Sequence, residues 1–442
     1  MVWARIAALS FGGPAGQISV MHRILVEEQR WLGNDRFLHA LNFCMLLPGP
    51  EAQQLATYIG WLMHGVRGAL IAGIMFILPG VAAIMLLSWV YVVFGEVEVV
   101  EAMFFGLKAA VLAIVVQALV KIAGRALGNA AMRLIALASF LSLFLFAAPF
   151  PLVIALAALA GYMGAAAGLT AFVPGRPTGS GTQDSEHADG AGTVLGQEHV
   201  LSRHQSLGAQ RAAIVALAVW LLPVAGLYLI APDSVFTDIA MFFSKLAMLT
   251  FGGAYAVLAW VAQEAVGTYG WLAPGQMLDG LGMAETTPGP LIMVLQFVGF
   301  MGAFREAGWD SALLAGTLGG ILATWVTFAP CFAWIFLGAP YMETLRRNHR
   351  LASALAAVTA AVVGVIANLA IWFAIHVIGT RTELVTAGPL RMELPLPSSL
   401  DPTAALLSLG SLLAVFALRL GMAATLTCAA LAGLVLYLAG LH

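Results

Sequence analysis

The sequence predicts an all-α integral membrane protein with about 12–14 membrane helices, arranged in two homologous halves of inverted topology that contain broken or re-entrant FGG and PGP segments. Composition, an internal repeat and the charges of the loops support this prediction. Of the 442 residues, 61% are hydrophobic and 10% are charged, and the mean hydropathy is +0.94. Soluble proteins carry roughly 25% charged residues, so the composition indicates a membrane protein.

Apolar runs of about the length that a bilayer requires, roughly 20 residues, occur about thirteen times. They lie near residues 3–20, 37–60, 66–94, 101–123, 133–149, 150–172, 211–231, 237–259, 276–300, 310–338, 351–379, 403–418 and 420–441. Residues 174–210 are instead rich in Gly, Ser, Thr and Gln, a composition that favours a flexible linker. We therefore expect an N-terminal repeat at 1–173, a cytoplasmic linker at 174–210 and a C-terminal repeat at 211–442.

The two halves share one sequence pattern at a spacing of 240 residues. Residues 11–50 align with 251–290 without a gap, and the matches include FGG, Trp-Leu and PGP. Apolar composition alone would match leucine with leucine, but it would not place glycines, a tryptophan and prolines in register. The identical positions in the first half are Phe11, Gly12, Gly13, Val26, Trp31, Leu32, Leu38, Leu41, Pro48, Gly49 and Pro50.

Loop charges predict that the halves have opposite orientation. The loop at 95–101 is acidic, whereas its equivalent in the second half contains Arg346, Arg347 and Arg350. The next loops reverse this bias, and positive residues favour the cytoplasmic side. Seven crossings between the two FGG segments also invert the second half, as in many secondary transporters. The loop at 20–36 departs from the pattern, because its three arginines lie on the side assigned as external.

The breaks within apolar segments point to a substrate site. Proline interrupts a helix, and such a break inside a membrane is tolerated where protein or a water-filled cavity surrounds it. A helix that restarts after PGP presents free N–H groups that favour an anion, and the FGG glycines allow close approach. The predicted substrate-binding residues are Gly12, Gly13, Pro14, Gln17, Pro48, Gly49, Pro50, Gln53, Gly252, Gly253, Pro288, Gly289 and Pro290.

A packing role for these motifs remains an alternative, since glycine pairs in membrane helices also serve close helix contact. Glu51 argues against an anion at the first PGP, where the second half has Leu291. Polar residues in apolar runs are further candidates. For Lys108 and Glu285 the sequence leaves two roles open, charge coupling and an internal ion pair. For His22 and Arg23 it leaves open a cationic mouth, that is, a positively charged entrance to the site, and a solvated loop.

Other chemistry has no support in the sequence. There is no Walker loop, GxSxG, HExxH or carboxylate-rich metal motif, so we expect neither an enzyme nor a metal or other cofactor. Three cysteines lack metal-ligand spacing. The net charge of −2 gives no indication of a nucleic-acid partner.

The stretches LSFGGPAGQISVMHRILVEEQRWL (9–32) and FLHALNFCMLLPGPEAQQLATYIGWL (37–62), with the second FGG and PGP, resemble the chromate ion transporter (CHR) family in its long, two-domain form. The second copy departs from this pattern, since it reads FGGA where the first reads FGGP. The resemblance implies export of chromate, linked to membrane potential, to protons or to ion exchange, and chromate resistance. It also implies a multi-pass protein of the inner (plasma) membrane.

Two alternatives stay open at the level of sequence. One is a permease that takes up or exchanges sulfate or another dianion, and the other is a non-transporting membrane scaffold or binding subunit. The expected partners are chromate or a sulfate-like dianion and the lipid bilayer, with a homodimer as an open option.

Overall fold

The computed structural model describes residues 2–11, 13–95, 97–172, 194, 203–251, 253–341, 348–388 and 390–440. In these ranges the chain forms sixteen α-helices and one β-hairpin. The helices of the first half are α1 Val2–Leu9, α2 Gly13–His22, α3 Asn34–Cys44, α4 Glu51–Phe94, α5 Glu98–Ala126, α6 Ala130–Phe146 and α7 Phe150–Ala166. Those that follow are α8 Arg203–Ile230, α9 Val235–Leu249, α10 Ala254–Ala262, α11 Pro274–Thr286, α12 Val294–Glu306, α13 Ala312–Gly338, α14 His349–Ile378, α15 Pro402–Phe416 and α16 Met422–Leu438.

The chain is an all-α membrane protein, as predicted. Within the described ranges, five helical stretches are long and apolar enough to cross a bilayer, and four shorter apolar helices accompany them. The five are Glu51–Phe94, Glu98–Ala126, Gly208–Ile230, Ala312–Tyr341 and His349–Ile378. The opposite orientation of the two halves stays a prediction. Most of the predicted linker at 174–210 lies outside the described residues, and α8 already begins at Arg203.

Secondary structure repeats at the same 240-residue spacing as the sequence. Helices α1 and α9 end at Leu9 and Leu249, and each is followed by an FGG segment that leads into a short helix. The short helices α2 and α10 both continue into a π-helical turn, Arg23–Glu28 in the first half and Gln263–Thr268 in the second. The repeat therefore extends to unusual backbone geometry, beyond shared hydropathy.

After each PGP the chain forms two helical arms that pack closely. In the first half these arms are continuous in α4, but non-helical angles at His64 and Gly65 separate them. Gly60 and Gly68 lie so close that a Cβ on either would overlap the carbonyl oxygen of the other. In the second half Gly299 and the α13 residue Gly319 make the equivalent approach between α12 and α13. Small residues permit this close contact of helix backbones.

The chain divides into two compact units. The first unit contains residues 1–83, 173–254 and 287–352, and the second contains 84–172, 255–286 and 353–442. Both units draw segments from both sequence copies. The division into repeats at 1–173 and 211–442 therefore describes sequence relationship, and as a division into domains it stays a prediction.

Each unit has its own packing. The first unit buries aromatic side chains such as Phe37, Phe76 and Phe336 in an apolar core. The second unit also buries aromatic side chains such as Phe150 and Phe373. In addition, a Cβ on Gly106 of α5 or Gly433 of α16 would overlap backbone atoms of the facing helix, as expected of membrane helices that associate through close backbone contact.

A β-hairpin lies between two helices of the second half, and the sequence prediction did not include it. Strands β1 Thr382–Ala387 and β2 Leu390–Pro395 pair antiparallel between α14 and α15. The carboxylate of Glu393 lies 3.1 Å from His376 Nε2 and accepts a hydrogen bond from Thr382 at 2.7 Å. These contacts attach the hairpin to the end of α14.

Candidate functional site

In the first compact unit, the residue that precedes each FGG segment is hydrogen-bonded to the PGP break of the other copy. The Gly289 N–H donates to the Ser10 carbonyl at 2.9 Å, and the Gly49 N–H donates to the Thr250 carbonyl at 2.8 Å. Ser10 and Thr250 directly precede the two FGG segments. We call the contact of the first FGG segment with the second PGP the first crossing, and the reciprocal contact the second crossing.

The backbone of both crossings follows the same design. The Ser10 hydroxyl donates to the Ile6 carbonyl and the Thr250 hydroxyl to the Leu246 carbonyl, each at 2.7 Å. The central PGP glycines have φ of +128° at Gly49 and +114° at Gly289. Residues with a Cβ rarely adopt such angles, so glycine is required at the centre of each break.

Helices restart directly beyond both breaks. Helix α4 begins at Glu51, and a 3-10 turn at Leu291–Met293 leads into α12. The first N–H groups of a helix have no intrahelical acceptor, and with the helix dipole they favour a negative ligand. The amides of Gly49 and Gly289 are already used in the crossings, so the available donors lie after the prolines.

Space is available beside the FGG segments. Gly13 is buried at the start of α2, yet a Cβ at this position would meet no atom within 4 Å. Gly253, which precedes α10, shows the same lack of contact. A small ligand can therefore approach the backbone at the beginning of these helices. Gly12 and Gly252, also predicted as site residues, lie outside the described residues.

Three buried glutamines surround the breaks, and two of them hold the backbone there. Gln17 Nε2 donates to the Gly289 carbonyl at 2.5 Å, and Gln54 Nε2 donates to the Pro48 carbonyl at 2.7 Å. Gln53 Nε2 donates to the Thr57 hydroxyl at 3.1 Å. The Oε1 atoms of Gln53 and Gln54 are buried without a hydrogen-bond partner among the described residues. Gln17, a predicted substrate contact, is thus placed to fix the second PGP.

In the second unit, Glu285 forms a buried pair with a tyrosine. Its side chain is only 3% exposed, and Oε1 accepts a hydrogen bond from the Tyr255 hydroxyl at 2.6 Å. Oε2 is buried and has no hydrogen-bond partner among the described residues. The sequence singled out Glu285 but not Tyr255, because only the fold brings the two helices together.

Lys108 forms the internal ion pair that was one of its two predicted roles. Its Nζ lies 3.4 Å from Asp279 Oδ1, and Tyr91 donates a hydrogen bond to Asp279 Oδ2 at 2.9 Å. Sequence reasoning missed Asp279, although a carboxylate inside the apolar run 276–300 was an available signal. The pair compensates two charges that are costly to bury separately.

His22 and Arg23 lie in a charge-compensated group at the end of α2. His22 contacts Asn34 Oδ1 at 2.9 Å and Glu27 at 3.2 Å. Arg23 lies 3.7 Å from Glu28, which also binds Arg5 at 2.7 Å. These acids offset the positive charge of the loop, so the group presents a mixed surface. Its role as a cationic mouth stays a prediction.

Comparison with known proteins identifies related sequences over most of the chain. The sequence model of the family described as chromate transporter matches residues 1–162 and 237–434. A chromate transport protein of Pseudomonas aeruginosa is 32% identical over 393 residues, which cover 87% of this chain and 82% of that protein. A chromate transport protein of Cupriavidus metallidurans is 28% identical, with 84% and 80% covered. No solved structure matches the chain significantly.

Proposed function

Since this chain belongs to the chromate transporter family, we propose that it exports chromate across the plasma membrane, driven by membrane potential or ion exchange. The observation that carries the proposal is the reciprocal bonding of FGG and PGP segments. It brings the two helix starts that follow the breaks together in one compact unit. Backbone donors at helix starts suit a small oxyanion.

Binding of the anion by backbone amides also suits a transporter, which must release the anion, better than a protein that retains it. A dianion held by amide dipoles without a neighbouring cation is held more weakly than one paired with arginine. None of the contacts described at either crossing involves a cationic side chain. Weak binding allows release on the far side of the membrane. The proposed contacts are the predicted motif residues, with Gln17 and Gln54 as supports of the loop geometry.

The membrane potential supplies sufficient energy for export. One charge that crosses 100 mV gains about 2.3 kcal/mol. A dianion that leaves a negative interior therefore gains roughly 4.6 kcal/mol per 100 mV by the same relation. We also propose that the two halves have opposite orientation, which would make the two crossings equivalent from the two sides of the membrane.

Proteoliposomes test the proposal. The purified protein is reconstituted with radiolabelled chromate inside, and a potassium gradient with valinomycin sets the potential. Chromate efflux should accelerate when the interior is negative and slow when the sign is reversed. Parallel vesicles loaded with sulfate distinguish a general dianion permease. Absence of flux for both anions, with correctly folded protein, would favour the scaffold alternative.

A further inference from the structure

A cavity lies where the β-hairpin meets the helices of the second compact unit. Its volume is about 330 Å³, and its walls come from α6, from α10 with the π-helical turn that follows, from α14 and from the hairpin. All of these segments belong to the second unit, and α6 contacts β2 directly. Sites for small ligands usually have volumes of roughly 300–1,000 Å³. The cavity is therefore large enough for a ligand.

The polar part of the cavity wall carries one charge of each sign. Arg391 and Glu393 both line the cavity. They are two residues apart on β2, so their side chains lie on one face of the strand, about 7 Å apart along it. Glu393 is held by its contacts with His376 and Thr382. The side chains of Arg391 and Asn368, which also lines the cavity, form no hydrogen bond or ion pair with a described residue. The Arg391 guanidinium therefore has donors available for a ligand.

The apolar part of the wall continues into an exposed stripe of α6. Phe144 lines the cavity, and Leu141, Leu137 and Leu134 precede it at spacings of three, four and three residues. This spacing places all four on one face of the helix. The three leucines are 37–65% exposed, and the stripe is about 15 Å long at 1.5 Å per residue. Lipid tails are as apolar as leucine, so an acyl chain can lie along the stripe and reach the cavity.

The two parts of the wall together suit a phospholipid, with its headgroup in the cavity and one acyl chain along the stripe. A phosphate group binds well to a guanidinium. The charges of Arg391 and Glu393 cancel, so a headgroup without net charge is complementary to the cavity. A headgroup with net negative charge would be attracted by Arg391 but repelled by Glu393.

Ethanolamine is the headgroup that matches this arrangement. Its phosphate and its ammonium group are separated by a two-carbon bridge, so both can be reached by charges on one face of a strand. The ammonium group can donate hydrogen bonds to a carboxylate. It is also attracted by the face of an aromatic ring, and Trp372 is part of the cavity wall.

We propose that this cavity binds the headgroup of a phosphatidylethanolamine molecule, with the phosphate at Arg391 and the ammonium group at Glu393. The hairpin supplies both charges, so the site belongs to the second half of the chain. The proposal does not depend on the anion that the protein transports, because no residue of the FGG or PGP segments takes part.

Lipid titrations of the purified, delipidated full-length protein test the proposal, with bound lipids counted by native mass spectrometry. The probes are the dioleoyl forms of phosphatidylethanolamine, phosphatidylglycerol and phosphatidylcholine. We expect one phosphatidylethanolamine per chain to bind about fivefold more tightly than phosphatidylglycerol, the effect of a partly exposed charge pair. Phosphatidylcholine should also bind more weakly, because its quaternary ammonium group has no N–H donor. Glycerophosphoethanolamine, which lacks acyl chains, should bind at least about tenfold more weakly.

Variants separate the contributions of the two charges and of the stripe. Arg391→Gln should weaken the binding of all three lipids by about fivefold. Glu393→Gln should remove the preference for phosphatidylethanolamine over phosphatidylglycerol. Leu137→Gln should weaken the binding of the three lipids and leave that of glycerophosphoethanolamine unchanged. Arg381→Gln is the matched control, because this exposed arginine next to β1 is not part of the cavity wall, and it should bind lipids as the wild type does.

Three results would overturn the inference. The first is equal affinity of the wild-type protein for the three headgroups, a result that requires no variant. The second is a preference for phosphatidylethanolamine that persists in Arg391→Gln and Glu393→Gln proteins with normal melting midpoints. The third is a dimer without bound lipid, in which a second copy of the chain covers the stripe. Loss or retention of chromate transport does not enter these titrations, so the inference and the proposed function fail independently.

Discussion

Around the first PGP break the polar side chains follow the break, whereas around the second they precede it. Glu51, Gln53 and Gln54 lie within four residues after Pro50, but the apolar run Leu291–Met293 follows Pro290. The second copy instead places Glu285 before its break, where the first copy has Met45. The backbone bonds of the two crossings are nevertheless the same to within 0.1 Å, at 2.8 and 2.9 Å.

The comparison separates two requirements. The crossing geometry needs glycine at the centre of the break and a carbonyl before the FGG segment, and both copies preserve these. The surrounding side chains have diverged, so the copies are free to perform different tasks. The shared backbone is the part to which the proposed anion site belongs, and the side chains around it are the part in which the two copies differ.

The largest expected effect comes from a Cβ at the centre of each break. In Gly289→Ala the new atom would lie 3.0 Å from the Gly80 Cα, which is backbone and cannot move aside. Strain and overpacking should lower the free energy of unfolding by about 3 kcal/mol or more. In Gly49→Ala the new atom meets the side-chain ends of Cys331 and Gln54 at 2.8 Å, so the loss should be about 1–2 kcal/mol.

Thermal unfolding of the purified variants measures this difference. Gly124→Ala is the matched control, because its Cβ would meet no atom within 4 Å inside α5, and helix propensity favours alanine there. Equal losses of unfolding free energy in Gly289→Ala and Gly49→Ala would contradict the idea that different atoms surround the two glycines.

A smaller effect is expected when a supporting glutamine is exchanged for the residue of the other copy. Gln17→Val, after the equivalent Val257, leaves the Gly289 carbonyl without its amide donor. The loss of one buried hydrogen bond should cost about 1 kcal/mol and slow chromate flux moderately. Gln117→Val on the exposed side of α5 is the control, with a change within about 0.5 kcal/mol. Flux and melting midpoint that match wild type would exclude a supporting role for Gln17.

The smallest effect concerns the β-hairpin, which only the second half has among the described residues. The hydrogen bond with His376 holds the pKa of Glu393 below its ordinary value. The contribution of the ionised Glu393 carboxylate to stability is therefore complete above about pH 4.3, the pKa of a glutamate in the unfolded chain. It is lost as the pH falls through the pKa of Glu393 in the folded protein. Glu393→Gln should lower stability by less than about 1 kcal/mol, since the pair is partly exposed.

Melting curves of wild type and Glu393→Gln across acidic pH provide the check. The two curves should converge as the pH falls below the folded pKa of Glu393. A constant difference at every pH would mean that the pair contributes by packing and not by charge.

The sequence predicted the helix breaks and the repeat, but it did not predict which parts of the two copies contact each other. Alignment at 240 residues placed FGG on FGG and PGP on PGP, yet it could not indicate that each PGP bonds to the opposite FGG segment. That contact involves backbone groups of Ser10 and Thr250, and backbone groups carry no sequence signal. The Tyr255–Glu285 and Lys108–Asp279 pairs were also hidden, because partners on different helices are set by packing. The two π-helical turns, Arg23–Glu28 and Gln263–Thr268, could not be recognised for a similar reason.

Chromate affinity of proline variants tests the central claim, that the helix starts beyond the breaks bind the anion. In the double variants Pro48→Ala/Pro50→Ala and Pro288→Ala/Pro290→Ala the helix can continue through the break, and its first amides gain intrahelical acceptors. The account predicts that the folded variants bind chromate with a Kd at least about tenfold higher, the loss of one charge-assisted hydrogen bond. Pro223→Ala, inside α8, should leave the Kd unchanged. Wild-type affinity in both well-folded PGP variants would contradict the account.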